Sequence, residues 1–223
     1  MSDKNKATKE RGVIFNAEMV RAILAGRKTQ TRRVMKVQPV LCGRFYEVYG
    51  TEWNEGVKFV PAIPGHNLSA NCPFGSVGDR LWVRETFKVH SRTNDVATLV
   101  YQASERSSWL GQTRRIPIAA CKKPVSLESW TPSIHMPRWA SRITLEIIGI
   151  RVERLNDISQ KDAQEEGMPP SHPSIDAVSR GLGYPDFPRS AFAQLWQSIY
   201  GAGSWLSNPW VWVLEFRVLG RAL

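Results

Sequence analysis

A strand is predicted at 141–155, because Ile143, Leu145 and Ile147 alternate there with Thr144, Glu146 and Ile148. A period of two places the first three side chains on one face of a β-strand. A closing strand is predicted at 209–219, and shorter strand patterns cover 29–35, 44–49, 57–60, 80–87 and 96–101. With only short helical patterns between them, these strands predict an α+β fold, a small mixed β-barrel flanked by short helices.

Three short helices are predicted between the strands. Asn16 is suited to cap the first helix and Gly26 to end it. Ser159 and Asp162 have the spacing of a capping box at the start of the second. The second and third helices are predicted at 160–166 and 189–200, and the Pro- and Gly-rich segment 171–188 is predicted to be a loop.

The charge balance points to an anionic partner. The sequence has 30 Lys and Arg residues against 20 Asp and Glu residues, a formal net charge of +10 at pH 7. Such an excess attracts polyanions, so it indicates a nucleic acid or a nucleotide. A basic surface that only aids solubility is the plainer alternative.

The N-terminal residues and the cysteines indicate where in the cell the protein is expected. Residues 1–12 are charged with no apolar region behind them, so they are expected to be a disordered basic tail and not a signal peptide. No segment has the roughly 20 apolar residues that a spanning helix needs, so no membrane partner is expected. The three cysteines, Cys42, Cys72 and Cys121, form no Cys-x-x-Cys pair, which fits free thiols in a cytoplasmic protein.

No cofactor is predicted. A zinc site could be assembled from Cys42, His66, Cys72 and His90, but their spacing matches no familiar ligand pattern, so ordinary thiols are favoured. The sequence indicates no obligate protein partner either.

Basic and hydroxyl side chains crowd the segment 26–33, directly after the first predicted helix. It contains Lys28, Thr31 and three arginines, Arg27, Arg32 and Arg33. Such a cluster can bind phosphate, and a hydroxyl beside an amine can act as a nucleophile with its base. A solvated strand edge, in which the threonines reflect β-propensity, is the plainer interpretation.

This segment resembles the signature of the ASCH family, Gly-x-Lys-x-x-Glu-x-Arg. Gly26, Lys28 and Arg33 are in register, and Thr31 stands where the family most often has Glu. One branch, small bacterial amidohydrolases that deacylate acetylcytidine, has Gly-Arg-Lys-Thr-x-Thr here, which 26–31 reproduces. That branch also uses a Glu in a stretch similar to Ala-Gln-Glu-Glu-Gly-Met, which maps onto Glu166.

The resemblance implies a fold and a domain organisation. It covers 14–35, 78–85 and 143–219, and the chain looks most like the longer ASCH proteins of phages and prophages. It implies a PUA-like ASCH barrel as a single domain, 13–223. Two stretches, 36–77 and 86–142, would be insertions of loops and hairpins, the second of them largely a surface excursion.

The resemblance also implies roles. Thr31 would be the nucleophile, Lys28 its base, and Glu166 would hold the cytosine and manage the proton of the leaving amine. A lysine acts as a base only if its pKa falls from about 10.4 toward 7–8, and the neighbouring arginines and burial would lower it. Residues three apart on a strand point to opposite faces, so Lys28 is expected in the loop before the strand, reaching back to Thr31.

Four more residues are expected to bind the nucleobase or nucleic acid. Trp82, Arg84 and Glu85 lie on the strand predicted at 80–87, and Arg138 follows the second insertion's irregular part. Aromatic faces stack unpaired bases, and arginines hold phosphates. Arg84 and Glu85 would either line the pocket or pair with each other.

Three functions remain open. The first is an RNA- or nucleobase-binding ASCH protein that recognises or processes modified cytosine nucleosides. The second is an amidohydrolase that deacylates acetylcytidine. The third is a nuclease, as suggested for some ASCH relatives, which usually needs a metal cluster that the sequence does not show. Long insertions beside the motif would either cap a nucleoside pocket or widen it into a groove for a polymer.

Overall fold

The α+β class predicted from the sequence is confirmed. A computed structural model of the chain describes residues 8–54, 57–105 and 107–221. In this part of the chain twelve strands form three sheets and six α-helices are present. The chain divides into two compact units: Met1–Ala25, Gly78–Glu146 and Arg217–Leu223 form the first, and Gly26–Val77 with Ile147–Phe216 form the second. The sequence had predicted one domain with insertions.

In chain order the strands are β1 (Glu10–Ile14), β2 (Gln30–Val34), β3 (Val40–Cys42), β4 (Phe45–Val48), β5 (Thr51–Asn54), β6 (Phe59–Pro61), β7 (Arg80–Arg84), β8 (Phe87–Arg92), β9 (Val96–Tyr101), β10 (Thr113–Pro117), β11 (Ile143–Arg154) and β12 (Trp210–Arg221). The helices are α1 (Ala17–Leu24), α2 (Asn67–Asn71), α3 (Trp109–Gln112), α4 (Gln160–Glu165), α5 (Pro173–Gly181) and α6 (Phe187–Tyr200).

The first unit contains parts of two sheets. β1 pairs in parallel with β7, and the start of β11 pairs antiparallel with β7, where Leu145 faces Leu81. β8, β9 and β10 form an antiparallel sheet whose buried side chains include Phe87, Leu99 and Tyr101. β10 gives regular structure to a region that the sequence predicted as a surface excursion. β1 begins at Glu10, so it includes the last residues of the predicted tail, while 1–7 lie outside the described residues.

The second unit carries the segment singled out by the sequence. β2 pairs antiparallel with β12, with Thr31 opposite Leu214, and β6 pairs antiparallel with β11. β3, β4 and β5 form a separate antiparallel sheet within the predicted insertion 36–77. Buried apolar residues of α4, α6, β12 and the loops beside them form the core, among them Ile158, Phe192 and Val213.

The helix ends follow the predicted capping. Asn16 accepts a hydrogen bond from Met19 N at the start of α1, as predicted. Ser159 and Asp162 form the predicted capping box, with the Ser159 hydroxyl accepting from Asp162 N at 3.0 Å. α4 ends at Glu165, so Glu166 is its C-terminal cap and Gly167 follows with φ of +100°.

The sequence predicted a loop at 171–188, and this prediction is wrong for half of the segment, because α5 occupies Pro173–Gly181. Pro173 stands in the first turn, where a missing N–H costs nothing, so proline there starts a helix instead of breaking one. The Ser179 and Ser190 hydroxyls, 2.9 Å apart, join α5 to α6, and α6 itself begins two residues earlier than predicted, capped by Asp186. Over the described ranges, no helix is long and apolar enough to cross a bilayer.

Candidate functional site

The residues predicted to be catalytic lie where β2 runs beside the end of α4. The backbone of Lys28 forms an antiparallel bridge with Glu166, and Thr29 N donates to Glu165 O at 2.8 Å. These contacts set the start of β2 against the helix C-terminus. Around them lie nine polar residues that we call the β2–α4 ion cluster: Lys28, Gln30, Arg32, Arg151, Glu153, Asp162, Glu165, Glu166 and Glu215.

Lys28 is buried in this cluster, with 1% of its surface exposed. Its Nζ donates to the Glu166 backbone oxygen at 3.0 Å and to the Glu166 carboxylate. Burial lowers the pKa of Lys28 below its ordinary value, against the opposite effect of the Glu166 carboxylate, and the positive charges of Arg33 and Arg32 lower it further. The sequence had predicted a lowered pKa from the neighbouring arginines and burial; burial is the largest cause.

Arg32 connects Glu166 to the sheet. Its Nε and Nη2 donate to Glu153 Oε1 at 2.9 and 2.6 Å, and its Nη1 donates to Glu166 Oε1 at 3.1 Å and to Gln30 Oε1 at 2.8 Å. The two oxygens of Glu166 are therefore divided between two cations, Oε2 toward Lys28 and Oε1 toward Arg32. Such charge-assisted bonds hold the carboxylate in one orientation.

A second arginine completes the cluster. Arg151 donates from Nε to Glu153 Oε2 and from Nη2 to Asp162 Oδ1, both at 3.0 Å, and its Nη1 contacts Glu215. Burial raises the pKa of Asp162, but hydrogen bonds from Ser159 and Gln30 and the charges of Arg32 and Arg151 lower it overall. Asp162 therefore stays ionised between the two arginines.

A glycine opposite Glu215 makes room for this arrangement. A Cβ placed on Gly149 would lie 2.6 Å from Oε2 of Glu215, far inside van der Waals contact. β11 and the Glu215 side chain can approach this closely only because position 149 carries no side chain. The same Glu215 contacts Arg151 through its other oxygen.

Thr31 lies on the other face of β2. Gln30 and Arg32 both reach the α4 carboxylates, and successive residues of a strand point to opposite faces, so Thr31 and Arg33 face away from them. Lys28 precedes β2 as the sequence predicted, and its Nζ is held by Glu166. Alternation along β2 therefore places the Thr31 hydroxyl on the face opposite the α4 carboxylates, where Glu166 holds the Lys28 amine.

Arg27 is near the cluster but on its exposed side. Its Nη1 donates to the Gly167 backbone oxygen at 3.0 Å. The structure thus brings Arg27, Lys28, Arg32 and Glu166 together within the second unit, around the end of α4.

The remaining predicted residues belong to the first unit. The Arg84 guanidinium lies over the Trp82 ring, 5.5 Å from its centroid, and donates to the Ile134 backbone oxygen. Glu85 is buried and pairs with Arg142 through two hydrogen bonds of 2.9 Å, so its partner is not the adjacent Arg84. Burial raises the pKa of Glu85 while Arg142 opposes that rise.

Arg138 has a different environment from these three. It is more exposed and donates from Nε to Glu10 Oε2 at 3.0 Å, which lowers the pKa of Glu10. Its guanidinium also reaches Thr144 Oγ1 at 3.3 Å.

Most residues of the β2–α4 ion cluster were not predicted from the sequence. Arg151 and Glu153 are two apart on β11, and Asp162 and Glu166 are four apart around α4. The first pair has the period of a strand and the second has the period of a helix turn, and these spacings were a signal that could have been used. Gln30 was included in the basic segment but given no role, although it bonds to Asp162 and Glu165.

Comparison with known proteins found no matching family model, no matching curated protein and no matching solved structure. Within the ranges that the structure describes, no group of three or more His, Cys, Asp or Glu side chains is arranged to hold a metal ion. Cys42 is an exposed free thiol, and Cys72 and Cys121 are buried free thiols.

Proposed function

We propose that this chain is a PUA-like protein of the ASCH type that binds a nucleobase, in RNA or as a modified cytosine nucleoside, through Lys28 and Glu166. The observation that carries the proposal is the buried Lys28–Glu166 pair, whose carboxylate is held on its second oxygen by Arg32. The excess of positive charge in the whole sequence favours a nucleic acid or a nucleotide as the partner.

The chemistry of the pair matches cytosine. A carboxylate accepts from the exocyclic amine of cytosine, and an ammonium donates to its ring nitrogen or carbonyl oxygen. The base would replace the internal contact between Lys28 and Glu166 with one bond to each side chain. Since an unpaired buried charge is strongly unfavourable, only a ligand that offers both a donor and an acceptor can replace that contact. Uracil, which has a carbonyl in place of the amine, offers Glu166 no donor there.

Calorimetric titration tests this proposal. Cytidine and a short cytidine-rich RNA are titrated into the wild type, Lys28→Met and Lys161→Met. Lys161 lies on α4, is exposed and pairs with Glu165, so its variant makes the same change outside the proposed site. The proposal expects Lys28→Met to weaken both ligands by tenfold or more, while Lys161→Met changes affinity by less than about threefold. Equal affinities in the two variants would contradict it.

A second candidate, amide hydrolysis of acetylcytidine, is favoured by one observation: the lowered pKa of Lys28. A lysine with a lowered pKa has a neutral amine available as a base. This reaction requires the Lys28 amine to leave Glu166 and reach the face of β2 that carries Thr31. The Thr31 hydroxyl oxygen then bonds to the acyl carbon while Lys28 takes its proton. The carbon–nitrogen bond then breaks, the proton passes to the departing amine of cytosine, and water later releases the acyl group from Thr31.

The hydrolase candidate is tested by incubating the protein with acetylcytidine and following cytidine by chromatography. Two results together would support it. Both Thr31→Val and Lys28→Met lose product, and the wild-type rate rises with pH and reaches a plateau below the ordinary lysine pKa. Thr31→Val is the more specific variant of the two, because Thr31 faces away from Gln30 and Arg32 and its replacement leaves the contacts of the ion cluster in place. If the wild type binds cytidine but releases no cytidine from acetylcytidine, the hydrolase is excluded and nucleobase binding is the function that stands.

A further inference from the structure

The first unit contains a cavity that the site at Lys28 does not use. Its volume is about 740 Å³, and the residues that line it include Ser104, Leu110, Thr113, Arg114, Arg115 and Arg142. A cavity of this size falls within the range of small-molecule sites in proteins. It lies largely within 86–142, the second of the two predicted insertions.

Arg142 is held rigidly at the wall of this cavity. Its Nε and Nη2 donate to the two oxygens of Glu85 at 2.9 Å, and Nη2 also donates to Ser104 Oγ at 2.9 Å. Its guanidinium lies 4.0 Å from the centroid of the Tyr101 ring. The Tyr101 hydroxyl in turn donates to the Ala140 backbone oxygen at 2.8 Å. These contacts use Nε and Nη2 of Arg142 and position its guanidinium in advance of any ligand.

The other two arginines, Arg114 and Arg115, add positive charge that no carboxylate among the described residues offsets by an ion pair. Arg114 donates from Nη1 to the Ser141 and Trp139 backbone oxygens at 2.5 and 3.4 Å, which are neutral acceptors. Arg115 is exposed, and its side chain has no hydrogen bond or ion pair with any residue in the described part of the chain. No Asp or Glu is among the described residues that line the cavity, and Glu85 offsets only Arg142.

The uncharged lining residues suit the rest of a nucleotide. Ser104 and Thr113 carry hydroxyls, which are common partners of phosphate and ribose oxygens. Leu110 supplies an apolar surface and is itself 86% exposed, so a base resting on it would remove apolar area from water.

We propose that this cavity binds the phosphate of a nucleotide at the edge strand β10, where Arg114 and Arg115 approach it from opposite faces of the strand, beside the anchored Arg142. Arginine is suited to this task because its planar guanidinium donates two parallel bonds to phosphate oxygens. The phosphate can come from a free mononucleotide or from one unit of an RNA chain, and the two sources share this chemistry. The inference is independent of Lys28, which the cavity does not include.

The test uses the full chain with four probes: inorganic phosphate, cytidine, cytidine 5′-monophosphate and a short single-stranded RNA. Affinities are measured for the wild type, Arg115→Glu and the matched control Lys122→Glu. Lys122 is exposed, belongs to the same unit and does not line the cavity, so its variant makes the same change in net charge. Arg114→Gln is a second variant, and thermal unfolding checks that each variant is folded.

We expect Arg115→Glu to weaken at least one phosphate-bearing probe by about tenfold or more, as removal of a charge-assisted bond does, with no change for cytidine. If free nucleotides are the source, inorganic phosphate and the monophosphate respond alike. If an RNA chain is the source, Arg115→Glu weakens only the RNA, and the number of counterions released on RNA binding falls by about one. Equal responses of all probes to Arg115→Glu and Lys122→Glu would overturn the inference. Lys28→Met is expected to weaken cytidine and leave inorganic phosphate unchanged, whereas Arg115→Glu is expected to leave cytidine unchanged, so failure here and failure at Lys28 are distinguishable.

Discussion

Lys28 and Glu166 are joined twice, by a backbone bridge and by a side chain that bonds both to the backbone oxygen and to the carboxylate of its partner. The bridge brings the start of β2 to the end of α4, and the side-chain contact places a cation and an anion out of water. Local backbone pairing therefore determines where the buried charges meet.

The first prediction concerns the energy of this pair. Lys28→Met and Glu166→Gln each leave a buried charge with fewer partners, and each is expected to lower the free energy of unfolding by about 3–5 kcal/mol. The double variant is expected to lose less than the sum of the two, because neither charge is then left behind. Urea unfolding of the four proteins measures the coupling. Strict additivity would show that the two side chains do not interact.

The second prediction is a pH dependence. Burial lowers the pKa of Lys28 in the folded chain, whereas the unfolded chain keeps the ordinary value near 10.5. Between these two pKa values the unfolded chain binds more protons, so the free energy of unfolding rises with pH through that window and is lower below it. Urea unfolding from pH 7 to pH 10 measures this rise. It should be smaller in Lys28→Met and unchanged in Lys161→Met; the same slope in all three would contradict the lowered pKa.

The third prediction concerns the close approach at Gly149. Gly149→Ala places a Cβ against the carboxylate of Glu215, which is also held by Arg151, and is expected to destabilise the fold by about 1–3 kcal/mol. Gly181→Ala is the control, since a Cβ there meets nothing within 4 Å and the residue ends α5 with no positive φ. That variant is expected to be neutral or up to about 1 kcal/mol more stable. Thermal unfolding measures the stability of both variants. A Gly149→Ala variant more stable than Gly181→Ala would contradict the close packing at Gly149.

The fourth prediction concerns the helix that carries Glu166. Ser159→Ala removes the side chain that caps α4 and is expected to cost about 1 kcal/mol. Ser198→Ala, in the last turns of α6, removes a hydroxyl whose one hydrogen bond among the described residues is to the Leu195 backbone oxygen, and it should change stability by less than about 0.5 kcal/mol. Denaturant unfolding measures both. Equal effects would mean that the cap does not stabilise α4.

The elements with strong local signals were predictable from the sequence. Capping residues gave the starts of α1 and α4, and the period-two alternation gave β11, because both signals are local in the sequence. α5 was missed because Pro173 was taken to indicate a loop although it suits a first helical turn. The strand β1 was missed because five residues beside a charged segment carry little periodicity.

The candidate site was predictable only in part. Lys28 and Glu166 were found through a motif, but their contact spans 138 positions and depends on the pairing of the Lys28 backbone with the end of α4. Arg32 was identified as basic, and its role as the link between Glu166 and Glu153 became visible only with the fold. Long-range charge pairs of this kind leave no local pattern.

The most direct test of the central claim is base preference in Glu166→Gln, measured by titrating cytidine and uridine into the wild type and the variant. The carboxylate only accepts, whereas an amide can also donate to the carbonyl that uracil has in place of the amine. The wild type is expected to prefer cytidine by about tenfold or more, and Glu166→Gln to lose that preference. An unchanged preference in a folded Glu166→Gln variant would contradict a role for this carboxylate in reading the base.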